Sequence, residues 1–271
     1  MKACLQIVGW ASSLPVRASC PHQRGLEALN YRLEAHATIF SRHVLKPTRC
    51  GLTDSNTCWP AANALALIGK SAIPALTNAL ATPDSQLKIW ILNAIAPLGT
   101  NGGQAVPALI NCLQDSNAVV QSLAASRLGL IHQAPEISIP ALTACLSNTN
   151  SQFRSSLLRA IGLFELEAKP ALPAVLALMG DSEKSVRRNA AILLTQIDPN
   201  SAKLFLSQIA DLDPKVREAV AFGLEISGSG DESVPSALTR LLNDDVDAVR
   251  KQAAVALQAY DRVRAKKPAS P

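Results

Sequence analysis

The chain has 271 residues, of which 48% are hydrophobic and only 4% aromatic, so the composition predicts an aliphatic, alanine-rich core. Its net charge of +5 arises from basic residues near the two ends of the chain, since the middle is slightly acidic. Residues 1–56 hold seven Lys/Arg and three Asp/Glu, residues 261–271 hold four and one, and residues 57–260 hold 15 and 17. A duplex-binding protein needs a basic surface for the phosphates, so the middle of the chain argues against nucleic acid. No run approaches the ~18 apolar residues of a membrane span.

Residues 1–24 have a basic start and a weakly apolar middle, "MKACLQIVGWASSLPVRA". The segment Val16-Arg17-Ala18 is compatible with signal cleavage, but Gln6 and Gly9 interrupt the apolar run. We therefore interpret this segment as an N-terminal arm of a cytoplasmic protein, with export through a weak signal peptide as the alternative.

Residues 25–56 contain an amphipathic pattern, "GLEALNYRLEAHATIFSRHVLK", with apolar residues at steps of three and four. A stacked array exposes an apolar face at its end, so this segment is predicted to be a capping helix or a degenerate repeat. At the other end of the chain, residues 261–271 are predicted to form a disordered basic tail.

Between these segments, residues 57–260 repeat themselves. One basic or polar position recurs at steps of 33, 33, 33, 30 and 33 residues, as Lys88, Gln121, Arg154, Arg187, Arg217 and Arg250. We call this position zero of the repeat. A proline series has the same spacing of 33 at Pro74, Pro107, Pro140 and Pro173, and Pro235 rejoins it after one repeat that lacks the proline. Self-similarity at a fixed period predicts a stacked array of short structural units.

Each repeat is predicted to contain two helices, so the predicted fold class is all-α. Proline begins the first helix without loss of a hydrogen bond. Four residues before position zero stands a capping candidate for the second helix, namely Asp84, Asn117, Asn150, Glu183 or Asp213. The second helix then carries apolar residues at intervals of three and four.

The segments "LMGDSEKSVRRNAAILLTQI" and "IADLDPKVREAVAFGLEI" carry acidic turn residues, then Val-Arg, small residues and an apolar position. This pattern resembles the HEAT-repeat family, specifically the short bacterial repeats found in phycobilisome lyases, over roughly residues 50–260. The family's Leu-Gly step is eroded here, for example at Thr195 and Gln258. The resemblance implies a right-handed α-solenoid of about six to seven two-helix repeats.

The resemblance also implies a ladder in which arginines at position zero stack beside acidic turn residues of neighbouring repeats. The expected rungs are the arginines Arg154, Arg187, Arg217 and Arg250 with the aspartates Asp115, Asp181, Asp211 and Asp244. The next position, occupied by Arg188 in one repeat, varies freely between repeats. Such a position faces either solvent or a partner.

In HEAT-like arrays the second helices line the concave side, so their variable positions are the binding candidates. Trp90 has two readings, as a binding residue or as part of the core, since indoles are enriched in binding hot spots. The full candidate set is Trp90, Asn93, Ser122, Ser126, Ser155, Arg159, Arg188, Asn189, Glu218, Phe222, Lys251 and Gln252.

Cys112 and Cys145 occupy the same repeat position, one repeat apart. Stacked helices lie ~8–10 Å apart, beyond the Cα separation of a disulfide, so both are predicted to be buried free thiols of a reducing compartment. The other four cysteines, Cys4, Cys20, Cys50 and Cys58, lack the spacing of a zinc site. We expect no metal, no cofactor and no catalytic residues.

Three classes of function follow from this sequence. The favoured class is a non-catalytic, monomeric scaffold or adaptor that binds another protein or peptide on the concave surface. The alternative, implied by the resemblance, is a subunit of a phycobilin lyase, although no lyase catalytic residue can be matched here. A lesser alternative is a nucleic-acid-binding HEAT-like protein, against which the acidic balance of the array argues.

Overall fold

A computed structural model describes residues 69–228 and 230–266 of this chain. In these two ranges the backbone forms helices and the turns between them, without a β-strand, so the predicted all-α fold class is confirmed. The chain divides between Ala134 and Pro135 into two compact units. The predicted N-terminal arm, the predicted capping helix and residues 267–271 lie outside the described residues.

The described part of the first unit contains two helix pairs. Within each pair the first helix packs on the second, and the two second helices, α2 and α4, pack on each other. Leu76, Ile91, Leu109 and Leu128, one from each helix, form part of the core. The elements are a 3-10 segment Gly69–Ala72, α1 Ile73–Ala79, α2 Ser85–Ile95, a 3-10 segment Ala96–Ala105, α3 Val106–Cys112 and α4 Ala118–Ile131.

The second unit contains four helix pairs. They are α5 Pro135–Ala144 with α6 Ser151–Gly162, α7 Leu172–Ala177 with α8 Lys184–Ile197, α9 Ser201–Ser207 with α10 Pro214–Ile226, and α11 Ser233–Leu241 with α12 Asp247–Lys266. Short 3-10 segments lie at Cys145–Ser147, Glu165–Ala171 and Leu178–Gly180. The second helices α6, α8, α10 and α12 pack side by side in chain order, each against the first helix of its own pair. This stacking of helix pairs is the arrangement of an α-solenoid.

Four of the five predicted caps of the second helices form. Asp84 accepts hydrogen bonds from the backbone N–H groups of Gln86 and Leu87, and Asn117, Asn150 and Asp213 act in the same way at their helices. The prediction for Glu183 is wrong: its backbone has the extended capping conformation, but its side chain makes no cap hydrogen bond. The glutamate carboxylate is one methylene further from the backbone, and helix caps favour the shorter Asp and Asn.

The predicted role of proline holds in all but one repeat. Pro74, Pro107 and Pro173 stand in the first turn of α1, α3 and α7, and Pro235 is the third residue of α11. Pro140 instead lies in the interior of α5, which begins at Pro135. 3-10 segments precede the helices that contain Pro74, Pro107 and Pro173, whereas residues 135–139 are already α-helical, so Pro140 falls later in its helix.

The cysteines, the last helix and the apolarity of the helices complete the description of the fold. Among the described residues, Cys112 and Cys145 are buried and not joined in a disulfide, as predicted, and burial raises the pKa of the Cys112 thiol. The last helix, α12, continues to Lys266. None of the helices described here has the length and apolarity needed to cross a membrane.

Candidate partner-binding surface

Ion pairs join successive repeats at position zero. Lys88 pairs with Asp115 in the first unit. In the second unit Arg154 binds both carboxylate oxygens of Asp181 at 2.7 Å, and Arg217 binds Asp244 at 2.6 and 2.8 Å. In each of these three pairs the acid follows the base by 27 residues. The predicted ladder therefore exists at these rungs.

The two arginine–aspartate rungs also fix the backbone on both sides, as the first of them shows. Nη1 of Arg154 donates to the carbonyl oxygens of Asn148 and Thr149, in the turn that precedes its own helix. Oδ1 of Asp181 accepts the backbone N–H of Glu183, in the turn before the next second helix. Side-chain exposure of Arg154 and Asp181 is only 8% and 7%. The ladder is thus a desolvated network that ties one turn to the next.

The pKa of Asp181 reflects both its burial and its partners. Burial alone would raise the pKa, but the hydrogen bonds from Arg154 and from the Glu183 backbone outweigh burial and lower the pKa below its ordinary value. The pKa of Asp115 is lowered against the same burial effect, by Lys88 and the Asn117 backbone. The hydrogen bond from Arg217 is the largest influence on Asp244 and also lowers its pKa. These carboxyl groups are held in their charged form.

The Arg187 rung differs from the prediction. Arg187 does not pair with Asp211; its Nη2 donates to Oε2 of Glu218 at 2.8 Å. The step to the next repeat is 30 residues here, so an aspartate 27 residues after Arg187 is absent, and residue 214 is a proline. Asp211 instead accepts the backbone N–H of Asp213, and its carbonyl accepts a hydrogen bond from Arg217.

Glu218 was predicted to be a binding candidate, and the structure corrects this prediction. Its side chain is 11% exposed and bridges Arg187 and Lys184, with Oε1 at 2.6 Å from the lysine Nζ. Burial would raise the pKa of Glu218, but hydrogen bonds from Lys184 and Arg187 lower it. The carboxylate is therefore part of the ladder. Arg250, the last predicted rung, pairs with Asp247 of its own helix at 3.3 Å.

Three other predicted candidates come together in the second unit. The guanidinium of Arg188 lies over the ring of Phe222, 4.7 Å from its centroid. Its Nη2 is 3.4 Å from Oε1 of Gln252, whose Nε2 donates to Oε2 of Glu225 at 2.7 Å. Arg188 on α8 thus spans Phe222 on α10 and reaches α12. Residues Lys184, Arg187, Arg188, Glu218, Ala219, Phe222 and Gln252 line a shallow cleft at this point.

Two exposed apolar residues beside this cluster were missed by the sequence reasoning. Ile192 is 38% exposed and Val255 is 51% exposed. Both stand five residues after position zero, as do Arg159 and Phe222, so continuing that series through every repeat would have found them. We call the set Arg159, Arg188, Ile192, Phe222 and Val255 the basic–apolar stripe; it lies on α6, α8, α10 and α12.

The remaining candidates of the second unit do not join the stripe. Ser155 is buried at 6% exposure, which contradicts its prediction as a surface residue, because the small hydroxyl is covered between packed helices. Asn189 is partly exposed. Lys251 is exposed and pairs with Asp247 at 2.7 Å. Gln252 is almost buried, and its carboxamide takes part in the Arg188 network described above.

The candidates of the first unit lie on α2 and α4. Trp90, Ser122 and Ser126 are partly exposed, and Asn93 is exposed. Arg127, which the sequence reasoning did not single out, donates from Nε to the carbonyl of Leu92 and from Nη2 to Oδ1 of Asn93, both at 3.0 Å. Burial lowers the pKa of Arg127. Asn93 is thus held by the next second helix, and the role of Trp90 stays a prediction.

Charge is separated within the second unit. The helices α6, α8 and α10 with residues 247–262 hold ten Lys/Arg and four Asp/Glu, whereas the rest of 135–262 holds three and twelve. The near-neutral total of the array conceals this separation. Arg154, Arg187 and Arg217 are paired in the ladder, with Asp181 and Asp244 of the turns and with Glu218 of α10. Arg159 and Arg188 lack a carboxylate partner among the described side chains.

The comparisons with known proteins concern the repeat. Residues 73–162 match the family model for HEAT repeats. No curated protein sequence matches this chain. Solved structures that resemble it include an archaeal HEAT-like repeats protein from Thermococcus onnurineus NA1, with 15% identity, a TM-score of 0.49, and coverage of 84% of this chain and 97% of that one.

Two further structures are more distant. Human deoxyhypusine hydroxylase in complex with glycerol is 16% identical with a TM-score of 0.40, over 86% of this chain and 98% of that one. The YibA protein of Escherichia coli is 20% identical with a TM-score of 0.44, over 71% and 72% of the two chains. At these identities and TM-scores the structural similarities carry no functional argument.

The matched segment begins at the first residue of α1 and ends at the last residue of α6, so it contains three whole helix pairs. Further helix pairs of the same kind, with an arginine at position zero, continue after it through α12. Residues 73–162 therefore consist of HEAT repeats, which is the family that this part of the chain matches.

Proposed function

We propose that this chain is a non-catalytic scaffold or adaptor that binds another protein or peptide through the second helices of its second unit. The observation that carries the proposal is the basic–apolar stripe. Ile192, Phe222 and Val255 share one register position on three successive second helices, and Arg188 lies across Phe222. Apolar residues that recur at one register form a continuous surface, and such surfaces mark interaction sites.

The residue types of the stripe also support binding. Arg and aromatic side chains are enriched in the cores of protein interfaces and among their hot spots. The neighbouring polar groups, Lys184, Arg187 and Glu218, neutralise one another in the ladder. Such mutually paired groups rigidify the surface on which the stripe stands, which favours a role in recognition over one in proton transfer.

Site-specific photo-cross-linking tests this function. The photoreactive residue benzoylphenylalanine is placed in the full-length chain at Ile192 or at Val255, and each protein is irradiated in its native cells. We expect both positions to yield a cross-link to the same partner, identified by mass spectrometry. Both side chains are exposed and neither belongs to the ladder, so the substitutions leave the fold intact.

Lys203 provides the matched control. It is exposed and stands on α9, a first helix, whereas the stripe stands on second helices. A common partner at 192 and 255 that is absent at 203 supports the proposal. Cross-linking at 203 alone, or no cross-link at the two stripe positions, rejects it. If the common partner is a phycobiliprotein, the lyase alternative replaces the scaffold.

A further inference from the structure

The chemistry of the stripe specifies its occupant more closely. Resting on the function proposed above, we propose that the partner supplies an extended acidic segment whose Asp or Glu residues bind Arg188 and Arg159, while aliphatic side chains between them pack on Ile192, Phe222 and Val255. The juxtaposition of unpaired guanidinium groups with exposed apolar side chains carries this proposal.

The two arginines form the charged half of the site. Nearly every other arginine of the second helices in this unit has a carboxylate: Arg154, Arg187, Arg217 and Arg250 all do. The hydrogen bonds of Arg188 and Arg159 to side chains are single contacts of 3.4 Å, to Gln252 and to Ser156. Both residues are exposed, so their remaining N–H donors face solvent. A carboxylate is the ligand that matches a guanidinium fork.

Arg188 is also held in position before a ligand arrives. Its guanidinium lies on the Phe222 ring, and its end is placed near Gln252, which Glu225 fixes in turn. A planar guanidinium restrained in this way loses less freedom on binding than a free side chain does. Phe222 stays partly exposed, and Ile192 stands exposed at the same register position on α8, so both can contact a ligand.

The spacing of the helices favours an extended occupant. Packed helices are separated by ~8–10 Å, so the shared register position recurs at about that interval from α6 to α12. A polyproline-like extended chain rises ~3.1 Å per residue and returns to the same face every third residue, or about 9 Å. A segment of about ten residues therefore reaches from Arg159 to Val255 with one contact on each helix.

Charge complementarity indicates that the bound segment of the partner is negatively charged. The second helices of this unit carry the excess of Lys/Arg described above, and the excess of Asp/Glu lies elsewhere in the unit. A basic segment would meet two uncompensated arginines, whereas an acidic one neutralises them. An apolar segment without charge would leave both guanidinium groups partly covered and unpaired, which costs affinity.

Selection from a random library tests the partner class without knowledge of the partner. The full-length chain is immobilised, and a phage library that displays random twelve-residue peptides is selected against it. We expect sequences with at least two Asp/Glu and with Leu, Ile or Val about three residues apart. A selected set that is neutral or basic, or the absence of any selected set, overturns the proposal.

Defined peptides then measure the contribution of charge. The best selected peptide is compared with a twin in which every Glu and Asp is replaced by Gln and Asn, using fluorescence anisotropy. We expect the twin to bind at least about tenfold more weakly, and binding of the acidic peptide to weaken as salt is raised. Equal binding of the two peptides would show that the arginines do not recognise the ligand.

Variants of the chain locate the contact. Arg188→Gln and Ile192→Ser are each expected to weaken the acidic peptide about fivefold to tenfold, since each removes one of the two kinds of contact. Lys203→Gln, which removes an exposed positive charge on α9, is the matched control and leaves affinity within twofold. Thermal unfolding of each variant verifies that the fold is retained.

The two proposals fail in different ways. If benzoylphenylalanine at 192 and 255 captures one partner but the acidic and neutral peptides bind equally, the scaffold function stands and the acidic class is wrong. If neither stripe position captures a partner, the proposed function itself is rejected. An effect of Lys203→Gln as large as that of Arg188→Gln would also overturn the assigned site, because the attraction would then be unspecific.

Discussion

Arg187 binds the carboxylate of Glu218 at 2.8 Å, where the equivalent arginines Arg154 and Arg217 bind an aspartate of the following turn. The exception occurs where the repeat is three residues shorter, so the aspartate of the turn falls out of reach. A residue of the next second helix supplies the missing carboxylate. The ladder is thereby continued through a different residue with the same charge.

Removing this arginine should destabilise the protein. We expect Arg187→Met to lower the free energy of unfolding by about 3 kcal/mol, because the desolvated carboxylate of Glu218 loses its buried partner. Urea unfolding followed by circular dichroism measures the change.

The adjacent Arg188→Met is the matched control for Arg187→Met. Arg188 is exposed, and its stacking on Phe222 is worth less than about 1 kcal/mol at such a site. Equal losses for the two variants would contradict the assignment of Arg187 to the structure and Arg188 to the surface.

The ladder should make stability depend on pH in the acidic range. The pKa of Asp181 is lower in the folded chain than its ordinary value of 3.8, so the unfolded chain binds a proton at higher pH than the folded chain. The stability contributed by this carboxylate is therefore present above about pH 4 and is lost as pH falls through the folded pKa. The lowered pKa values of Asp115 and Asp244 act in the same direction.

Asp181→Asn tests this pH dependence. We expect it to cost about 3 kcal/mol near neutral pH and progressively less below about pH 4, since the wild-type chain loses the contribution of this carboxylate as the unfolded state takes up a proton. The urea midpoints of the wild-type chain and of the variant, measured near neutral pH and again below about pH 4, provide the comparison. Glu232→Gln, on an exposed side chain that makes no cap hydrogen bond, should change stability little at either pH. A cost of Asp181→Asn that is the same at both pH values would refute the argument.

The uncapped helix α8 offers a stabilising substitution. Glu183 has φ −90° and ψ 123°, close to the backbone of Asp213, whose side chain does cap its helix. We expect Glu183→Asp to raise the free energy of unfolding by about 0.5–1 kcal/mol because the shorter carboxylate reaches the free N–H groups. The reverse change, Asp213→Glu, should lower it by a similar amount. Chemical denaturation of both variants tests the pair, and a loss on Glu183→Asp would contradict it.

Close packing at Gly223 predicts a steric effect. A Cβ added there would lie 2.6 Å from the ring of Phe205, which is fully buried and has no room to move. We expect Gly223→Ala to cost about 1–3 kcal/mol, measured as a lower melting temperature by calorimetry.

Gly162 is the control for this steric effect. A Cβ at Gly162 would meet mainly the end of the Gln196 side chain, which is exposed and flexible. Gly162→Ala should therefore be nearly neutral, since the better helix propensity of alanine offsets the displaced side chain. A melting temperature lowered as much as by Gly223→Ala would show that the contact with Phe205 is unimportant.

Regularity explains which parts of the fold could be predicted from the sequence. The caps at Asp84, Asn117, Asn150 and Asp213 follow from local chemistry that is identical in each repeat. The failures occur where a repeat departs from the pattern, either through a longer carboxylate at Glu183 or through an α-helical start before Pro140. Local spacing does not report whether a turn begins as 3-10 or as α-helix.

The site was less predictable because it depends on contacts between repeats. Arg188 and Phe222 were both candidates, but their stacking joins two helices and cannot be read from either one. Glu218 was assigned to the surface because the residue directly after position zero varies between repeats. The shortened repeat instead places Glu218 within reach of Arg187. Ile192 and Val255 were missed because the series five residues after position zero, which supplied Arg159 and Phe222, was not continued through every repeat.

On the second helices, the positions of the ladder and the core differ from the exposed positions of the stripe, and this difference affects how the chain can evolve. Residues that carry the ladder and the core are constrained, while Arg159, Ile192 and Val255 can be exchanged at little cost to stability, so descendants could acquire new partners by a few mutations. Glu218 breaks this separation, because it stands at a variable position but completes a buried ion pair. Its repeat should therefore diverge most slowly, with Arg187 and Glu218 changing together.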